Sequence, residues 1–276
     1  MTITAADVNK LRKQTGAGMM DCKKALVETN GDFEAAIDYL RKKGQKVSEK
    51  RAGREAREGV VIAISNTEQN SGVVLHLSCE TDFVAKNADF VEFAKSLTNL
   101  ALSKEIESTE ELMNQQLNGV NVSDLIVEQV GKIGEKIEVA QFARIHGELV
   151  VPYIHAGYRI GVLLALNKKG SEQLVLTGKD MAMQIAAMSP VAVRPEDVSE
   201  EIRNHEFMIG REQAVDEGKP ENLVEKIATG RLNKFLKENT LMNQQFVKDS
   251  SKTVSQMLKE IDPDAGVTGF IRFAIG

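Results

Sequence analysis

Two cysteines and four histidines are the side chains that could act as nucleophiles or bind a metal. None of the histidines, which are His76, His146, His155 and His205, has a cysteine or carboxylate at metal-ligand spacing. His76 and Cys79 are three residues apart on a predicted strand, so their side chains point to opposite faces and cannot form a dyad. We therefore expect no enzyme and no metal site, and we interpret Cys79 as a buried or half-buried strand residue. A thiol enzyme centred on Cys79 is the competing hypothesis.

Signatures of phosphate binding are also missing from the sequence. There is no GxxxxGK[ST] motif and no GxGxxG after a strand, and the short run Gly16-Ala17-Gly18 is typical of a turn between helices. The formal net charge of -5 argues against a general binder of nucleic-acid backbones. We therefore expect no cofactor and no direct nucleic-acid partner.

One segment places an aromatic residue next to an acid at a predicted surface. Residues 79–87, CETDFVAKN, follow a strand and precede a helix, and such turns lie at the surface. Phe83 stands there among Glu80, Asp82 and Lys86. A loop phenylalanine often folds back under its loop, but an aromatic held outward could act as a wedge that enters a partner's pocket. Composition alone does not decide between the two.

The N-terminal segment predicts a small helical module. Residues 1–43 read as three short helices, with Thr4 and Asp7 forming a capping box before the first and Asp32 capping the third. Residues 44–58 carry an excess of basic residues and no apolar stripe. They predict a solvated linker, either helical or irregular.

The rest of the chain predicts an α+β core with an insertion. Strands are predicted over 60–65, 73–78, 136–145, 149–155, 159–166 and 267–275, and helices over 89–103, 179–188 and 253–259. Residues 72–77 parallel residues 161–166, and the helices that follow match with a slip of one residue. This repeat predicts two related subdomains, 59–145 and 146–276. A helical hairpin broken at Gly218-Lys219-Pro220 is inserted at about 197–240.

Location can be inferred from what the sequence lacks. No apolar run approaches the ~18 residues of a membrane span, and no secretory signal is visible at the N-terminus. Two cysteines are too few for a disulfide framework. We expect a cytoplasmic protein with no membrane partner.

Two long stretches resemble the elongation factor Ts family. They are residues 11–26, LRKQTGAGMMDCKKAL, and residues 78–86, SCETDFVAK. The resemblance continues through residues 153–162, 195–199 and 268–273 and covers essentially the whole chain. It implies an N-terminal three-helix module similar to ubiquitin-associated domains, a core of two related subdomains, and a protruding coiled-coil hairpin.

The resemblance also implies a function. Members of this family are guanine nucleotide exchange factors that bind elongation factor Tu, in its GDP-bound and nucleotide-free forms, and promote GDP release. Thr81, Asp82, Phe83 and Val84 match the family segment that pushes in near the partner's Mg²⁺ site and dislocates the ion.

Other partner contacts follow from the same resemblance. His155 matches a core histidine that touches the partner, and Arg12, Met19 and Met20 match N-terminal residues that touch its GTP-binding domain. Met19 could equally belong to the module core, because it shares a helical stripe with apolar residues. His76 is expected to face the surface. The alternative function is a non-catalytic adaptor that acts through the N-terminal module.

Overall fold

The computed structural model describes residues 3–276, with the side chain of Ala156 outside that description. In chain order the elements are α1 (Ala5–Thr15), α2 (Met19–Glu28), α3 (Phe33–Arg51), β1 (Glu58–Ser65), β2 (Ser71–Cys79), α4 (Asp82–Ala85), α5 (Ala88–Ser103), α6 (Thr109–Met113), β3 (Gln116–Leu117), β4 (Val120–Asn121), α7 (Val122–Ile133), β5 (Glu138–His146), β6 (Leu149–His155), β7 (Ile160–Leu166), α8 (Glu172–Met188), α9 (Glu200–Asp216), α10 (Glu221–Asn239), β8 (Gln245–Phe246), β9 (Asp249–Thr253), α11 (Val254–Ile261) and β10 (Val267–Ala274). Helices and strands thus combine in an α+β protein, which confirms the expected fold class at that level.

The N-terminal helices form as their capping residues predict. The Thr4 hydroxyl accepts from the Asp7 N–H while the Asp7 carboxylate accepts from the Thr4 N–H, which satisfies the free start of α1. Gly16 ends α1 in the left-handed region at φ 67°, and Asp32 caps α3. The three helices enclose a small apolar cluster of Val8, Leu11, Cys22, Ala25, Leu26 and Ala36. The first two residues of the predicted module lie outside the described residues.

Helix α3 continues into the segment that was predicted as a linker. It runs to Arg51 and packs along α7, and the helices touch at Gly44 and Gly131. Val47 also packs against the core cluster of the first sheet. The helical half of this segment therefore joins the three-helix unit to the core by direct packing.

Each half of the core contains a three-stranded antiparallel sheet with the same connectivity. One sheet has the order β1-β2-β5 and the other the order β6-β7-β10. In each half a hairpin leads to a helix, α5 or α8, which packs on both hairpin strands, and a later strand returns beside the middle one. Residues 72–77 and 161–166, the predicted repeat, lie in the two middle strands.

The two sheets pack face to face, with a helix on the outer side of each. Their shared layer contains Val61, Ala63, Val74, Val150, Leu163, Ala165 and Ile275. A β-carbon on Gly161 would lie 2.5 Å from Val61 Cγ1, so the sheets approach closely there. Both faces of the middle strands are buried, which explains why they read as continuous apolar runs rather than as alternating patterns.

This packing corrects the expectation for His76, which is buried with only 8% of its surface exposed. Side chains alternate along β2, and the face that carries Val74 and His76 is turned toward the second sheet. The sequence suggested a free face because nothing in the local pattern showed that another sheet covers it. Its Nε2 has no hydrogen-bond partner among the described residues.

Other differences concern short or weakly patterned elements. The one-turn helix α4, the helices α6 and α7, and the two-stranded ribbons β3–β4 and β8–β9 were not predicted, and α8 begins at Glu172 rather than near residue 179. Short ribbons carry too few residues to show a period. In contrast, Val122, Ile126 and Val130 are buried at helical spacing in α7 and Gly134 ends it, so that helix could have been found.

The inserted helices α9 and α10 pack against each other as an antiparallel pair. Gly218, at φ 69°, ends the first helix, as the Gly-Lys-Pro break predicted. The Arg231 guanidinium donates to both carboxylate oxygens of Glu217 across the pair, at 2.8 and 2.9 Å. Where the insertion leaves the core, Ala192 and Thr240 form a β-bridge.

Candidate functional site

Phe83 projects into solvent at the end of β2. Its side chain is 83% exposed, more than any other large apolar residue of residues 3–276. The neighbouring Val84 and Ala85 pack instead against the core cluster beneath the first sheet. The ring therefore points outward from a supported turn, as the wedge hypothesis predicted, and does not fold back under it.

The turn that carries Phe83 is a single turn of helix. Thr81 is extended, at φ -124° and ψ 153°, and its carbonyl accepts from the Ala85 N–H at 3.3 Å. The Lys86 N–H donates to the Asp82 carbonyl at 3.0 Å. We call residues 81–84, which the sequence analysis singled out, the tip.

Asp82 presents a carboxylate beside the exposed ring. The Lys86 ammonium donates to it at 2.6 Å, one helical turn away. This hydrogen bond lowers the pKa of Asp82 below its usual value, so the group is ionised at neutral pH. The tip thus combines an apolar ring with a fixed negative charge.

The backbone before the tip is held by a carboxylate from another element. Glu135 follows α7, and its Oε2 accepts from the N–H groups of Glu80 and Thr81, both at 3.0 Å. Its Oε1 accepts from the Thr81 hydroxyl at 2.7 Å. Sequence reasoning missed Glu135 because it missed α7.

The Glu80 carboxylate makes the reciprocal contacts. Its Oε1 accepts from the Lys136 N–H at 2.7 Å, and its two oxygens accept from Arg51 Nη1 at 3.0 and 2.8 Å. Burial opposes ionisation of this carboxyl, but the Lys136 N–H and the Arg51 guanidinium outweigh it and lower the pKa of Glu80. Arg51 is the last residue of α3, so no local pattern could have linked it to the tip.

Cys79 lies inside the core, as the sequence predicted. It is fully buried and its thiol donates to the Thr81 carbonyl at 3.2 Å. Burial, together with the nearby Glu135 charge, raises the pKa of Cys79 to about 12. A thiol in this state is neither ionised at neutral pH nor accessible, which argues against the thiol-enzyme hypothesis.

His155 lies at the same end of the core as the tip. It ends β6 and is exposed, and its Nδ1 is 3.0 Å from the Tyr153 hydroxyl. Arg159 directly precedes β7, and its Nη1 donates a hydrogen bond to the Glu58 carboxylate at 2.7 Å. Glu58 in turn pairs directly with Cys79 at the end of β2. The two segments that sequence singled out in the core are thus joined through Glu58.

The N-terminal candidates lie on the three-helix unit, apart from the tip. Arg12 is exposed on α1, and Met19 and Met20 start α2 with 49% and 73% of their surfaces exposed. The exposure of Met19 favours a surface role over membership of the module core. The three-helix unit is connected to the tip region through α3, which ends at Arg51.

A metal-binding cluster and a membrane-spanning helix are both absent from the residues that the structure describes. Residues 3–276 contain no group of three or more histidine, cysteine, aspartate or glutamate side chains that could hold a metal ion. No helix within those residues has the length and apolar character needed to cross a membrane.

Comparison with known proteins places this architecture in a family. The family model described as Elongation factor TS matches residues 80–276. The chain is 49% identical over 276 residues to elongation factor Ts of Amoebophilus asiaticus, covering 100% of both chains. It is 48% identical to that of Flavobacterium psychrophilum, covering 100% of this chain and 99% of the relative, and 49% identical to that of Cytophaga hutchinsonii, covering 99% of each.

The α+β core with its outward tip is therefore that of a translation elongation factor. The chain belongs to the elongation factor Ts family. This confirms the resemblance carried by residues 11–26 and 78–86.

Proposed function

We propose that this chain is a guanine nucleotide exchange factor that binds elongation factor Tu and speeds the release of its GDP. The observation that carries the proposal is the outward position of Phe83 on a turn whose backbone is held by Glu135. An exposed aromatic that enters a partner's pocket dominates the energy of an interface. Membership of the elongation factor Ts family supports elongation factor Tu as the partner.

In this proposal the tip acts on the partner's phosphate and Mg²⁺ region. Phe83 inserts between elements of the partner, and the ionised Asp82 disturbs groups that hold the ion. Thr81 and Val84 fix the direction of insertion from either side. A Mg²⁺ ion neutralises the phosphates of a bound nucleotide, so its displacement weakens GDP binding.

No covalent step is required of this chain, and we propose that it is not an enzyme in the chemical sense. The factor needs only to bind the nucleotide-free partner more tightly than the GDP-bound one. By thermodynamic reciprocity, GDP then weakens the grip of the factor by the same ratio. GTP can rebind and displace the factor.

His155, Arg12, Met19 and Met20 are proposed as further contacts with the same partner. His155 supports the tip from the same end of the core, while the other three extend the interface onto the three-helix unit. We propose that this unit is a module of the ubiquitin-associated type. We also propose that α9 and α10 form a coiled-coil hairpin and that the protein works in the cytoplasm.

The test is GDP release from elongation factor Tu, followed with a fluorescent GDP. Phe83→Ala should lower the rate at a fixed, sub-saturating factor concentration by at least ~10-fold, since loss of a central aromatic costs about 2 kcal/mol or more. Leu176→Ala is the matched control, because Leu176 is also a large exposed apolar residue (49%) but lies on α8. An unchanged rate in Phe83→Ala would refute the wedge.

An adaptor that works through the N-terminal unit is the second candidate, and the exposure of Met20 favours it. The triple variant Arg12→Ala, Met19→Ala, Met20→Ala separates the two. The exchange proposal expects this variant to weaken binding yet still reach a fast saturating rate of GDP release. Normal release in Phe83→Ala combined with lost binding in the triple variant would support the adaptor instead.

A further inference from the structure

We infer that Glu135 and Glu80 position the exchange tip, and that Arg51 makes this position depend on the placement of the N-terminal helix α3. The inference rests on the proposed function, because it concerns the site that acts on the partner. None of these three side chains has to touch the partner. They act through the backbone that carries Phe83.

Glu135 fixes the two residues before the one-turn helix. Its carboxylate accepts three hydrogen bonds, from the N–H of Glu80, the N–H of Thr81 and the hydroxyl of Thr81, at 3.0, 3.0 and 2.7 Å. Hydrogen bonds to an ionised acceptor are stronger than bonds between neutral groups. On the N-terminal side of Glu80, Cys79 is fully buried at the end of β2. The chain between Cys79 and Asp82 is thereby held at both ends.

Glu80 makes the reverse contact between the same two segments, residues 80–81 and residues 135–136. Its carboxylate accepts from the Lys136 N–H, so each segment supplies a carboxylate to the backbone of the other. The Glu80 side chain is only 14% exposed, and Arg51 meets both of its oxygens. Because solvent screens this pair less than a surface ion pair, its geometry matters more to the position of the tip.

Arg51 and Glu135 stand at the ends of two helices that pack on each other. Arg51 is the last residue of α3, and Glu135 follows directly after Gly134, which ends α7. The helices touch at Gly44 and Gly131, and Arg41 on α3 donates to Glu128 on α7 at 2.9 Å. Both helices therefore end beneath the tip. A shift of α3 relative to α7 would move Arg51 away from Glu80.

Positioning of this kind affects the rate of exchange more than the formation of the complex. A tip that is already rigid loses little conformational freedom when it enters the partner. A loosened tip still allows the rest of the interface to form. Phe83 then adopts the orientation needed to enter the partner only in a small fraction of complexes. The signature is a lower saturating rate of GDP release with a nearly unchanged half-saturating concentration of the factor.

The first experiment measures GDP release from elongation factor Tu over a range of concentrations of the full-length factor. Glu135→Ala should lower the saturating rate by about 10-fold and change the half-saturating concentration by less than about 3-fold. Glu135→Gln should fall between Glu135→Ala and the unmodified protein. The glutamine amide oxygen can still accept a hydrogen bond, but its amide nitrogen cannot accept from the donor groups of Glu80 and Thr81.

A matched control removes a carboxylate with a similar role at the other end of the core. Asp262 accepts hydrogen bonds from the Lys168 ammonium and from the Asp264 N–H. Lys168 follows the C-terminal end of β7, whereas Arg159 precedes its N-terminal end. Asp262→Ala should leave the saturating rate within about 2-fold of the unmodified protein. Thermal melts of all variants show whether each is folded, and Glu135→Gln keeps the test usable if Glu135→Ala is not.

The second experiment measures how firmly the backbone next to the tip is held. Amide hydrogen exchange at Glu80 and Thr81 should become at least ~10-fold faster in Glu135→Ala, because their acceptor is gone. Amides in the middle of β2 should keep their protection. A purely structural role would instead accelerate exchange throughout the sheet.

The link to the N-terminal helix is tested by a double-mutant cycle. Arg51→Ala should lower the saturating rate about 3-fold, and Arg51→Lys should recover part of the loss. In a Glu80→Ala background, Arg51→Ala should have almost no further effect, because its partner is absent. Fully additive effects of the two substitutions would overturn the link.

The outcomes separate this inference from the proposed function. If Phe83→Ala slows GDP release but Glu135→Ala and Glu135→Gln reach the normal saturating rate, the positioning role is wrong and the exchange function stands. If Phe83→Ala has no effect, the exchange function itself fails. A joint loss of rate in Phe83→Ala and Glu135→Ala, with selective exposure of the Glu80 and Thr81 amides, supports both.

Discussion

Gly44 and Gly131 meet where α3 crosses α7, so closely that neither position has room for a side chain. A β-carbon on Gly131 would lie 2.8 Å from the Gly44 Cα, and one on Gly44 would lie 3.0 Å from the Val127 carbonyl oxygen. Both obstacles are backbone atoms, which cannot rotate away. This contact sets how the three-helix unit docks on the core.

Gly131→Ala should therefore destabilise the protein by about 1–3 kcal/mol, since overpacking forces the helices apart. The control is Gly230→Ala, on an exposed part of α10 where no atom lies within 4 Å of the new carbon. Both substitutions bring the same gain in helix propensity, about 0.5–1 kcal/mol. Urea unfolding measures the difference. A Gly131→Ala protein as stable as Gly230→Ala would contradict the tight docking.

His76 should make stability depend on pH. Burial lowers the pKa of this histidine, so the folded state resists protonation while the unfolded state binds a proton near pH 6.5. Its contribution is favourable above the unfolded pKa and is lost as pH falls through that value toward the folded pKa. The free energy of unfolding should thus fall between pH 7.5 and 5.5, and His76 should account for part of that fall.

His76→Leu should reduce this pH dependence, because leucine takes up no proton and His76 lies on the face of β2 that is turned toward the apolar layer between the sheets. His205→Gln is the control, since His205 is exposed on α9 and should leave the dependence unchanged. Urea unfolding at the two pH values measures both variants. Equal pH dependence in His76→Leu and in the unmodified protein would show that His76 does not contribute.

Cys79 should be dispensable for function. Its raised pKa and full burial keep the thiol protonated and out of reach at pH 8. Cys79→Ala should cost about 1 kcal/mol of stability, yet preserve the saturating rate of GDP release within about 2-fold. The folded protein should resist iodoacetamide at pH 8, whereas the urea-unfolded chain should react. Loss of exchange in a folded Cys79→Ala protein would revive the thiol-enzyme hypothesis.

What could be predicted from sequence depended on whether the signal was local. The caps at Thr4 and Asp32 and the break at Gly218 involve neighbours in the chain, and each was read correctly. The placement of Phe83 at a strand end was local as well, although its outward direction needed the packing of Val84 below it. Sequence named the residues of the tip, and their role in nucleotide release stays a prediction.

The rest could not be predicted because it depends on contacts between distant segments. His76 is buried by a second sheet whose position no local pattern reveals. Arg51 and Glu135 hold the tip from helices that lie far away in sequence. A carboxylate that follows a helix is common, and only the folded chain shows that Glu135 faces the N–H groups of Glu80 and Thr81.

The inserted hairpin should be removable without unfolding the core. Its two ends are joined by the bridge between Ala192 and Thr240, and the Leu241 N–H donates to the Ala192 carbonyl at 3.0 Å. Val198 and Leu236 belong to one apolar cluster at the base of the hairpin. A glycine–serine linker of about six residues in place of residues 199–235 would keep Val198, Leu236 and the bridge at that base and close a short loop.

The shortened protein should lose the helical circular dichroism of α9 and α10 but keep one cooperative thermal transition. Its GDP release should still depend on Phe83, because the tip is held by β2 and by Glu135 after α7, and His155 lies on β6 beside β7. None of these elements belongs to the insertion. Comparing Phe83→Ala in the full and shortened chains measures this dependence. If the shortened protein folds but Phe83→Ala no longer alters its rate, the hairpin and not the tip is the element that drives nucleotide release.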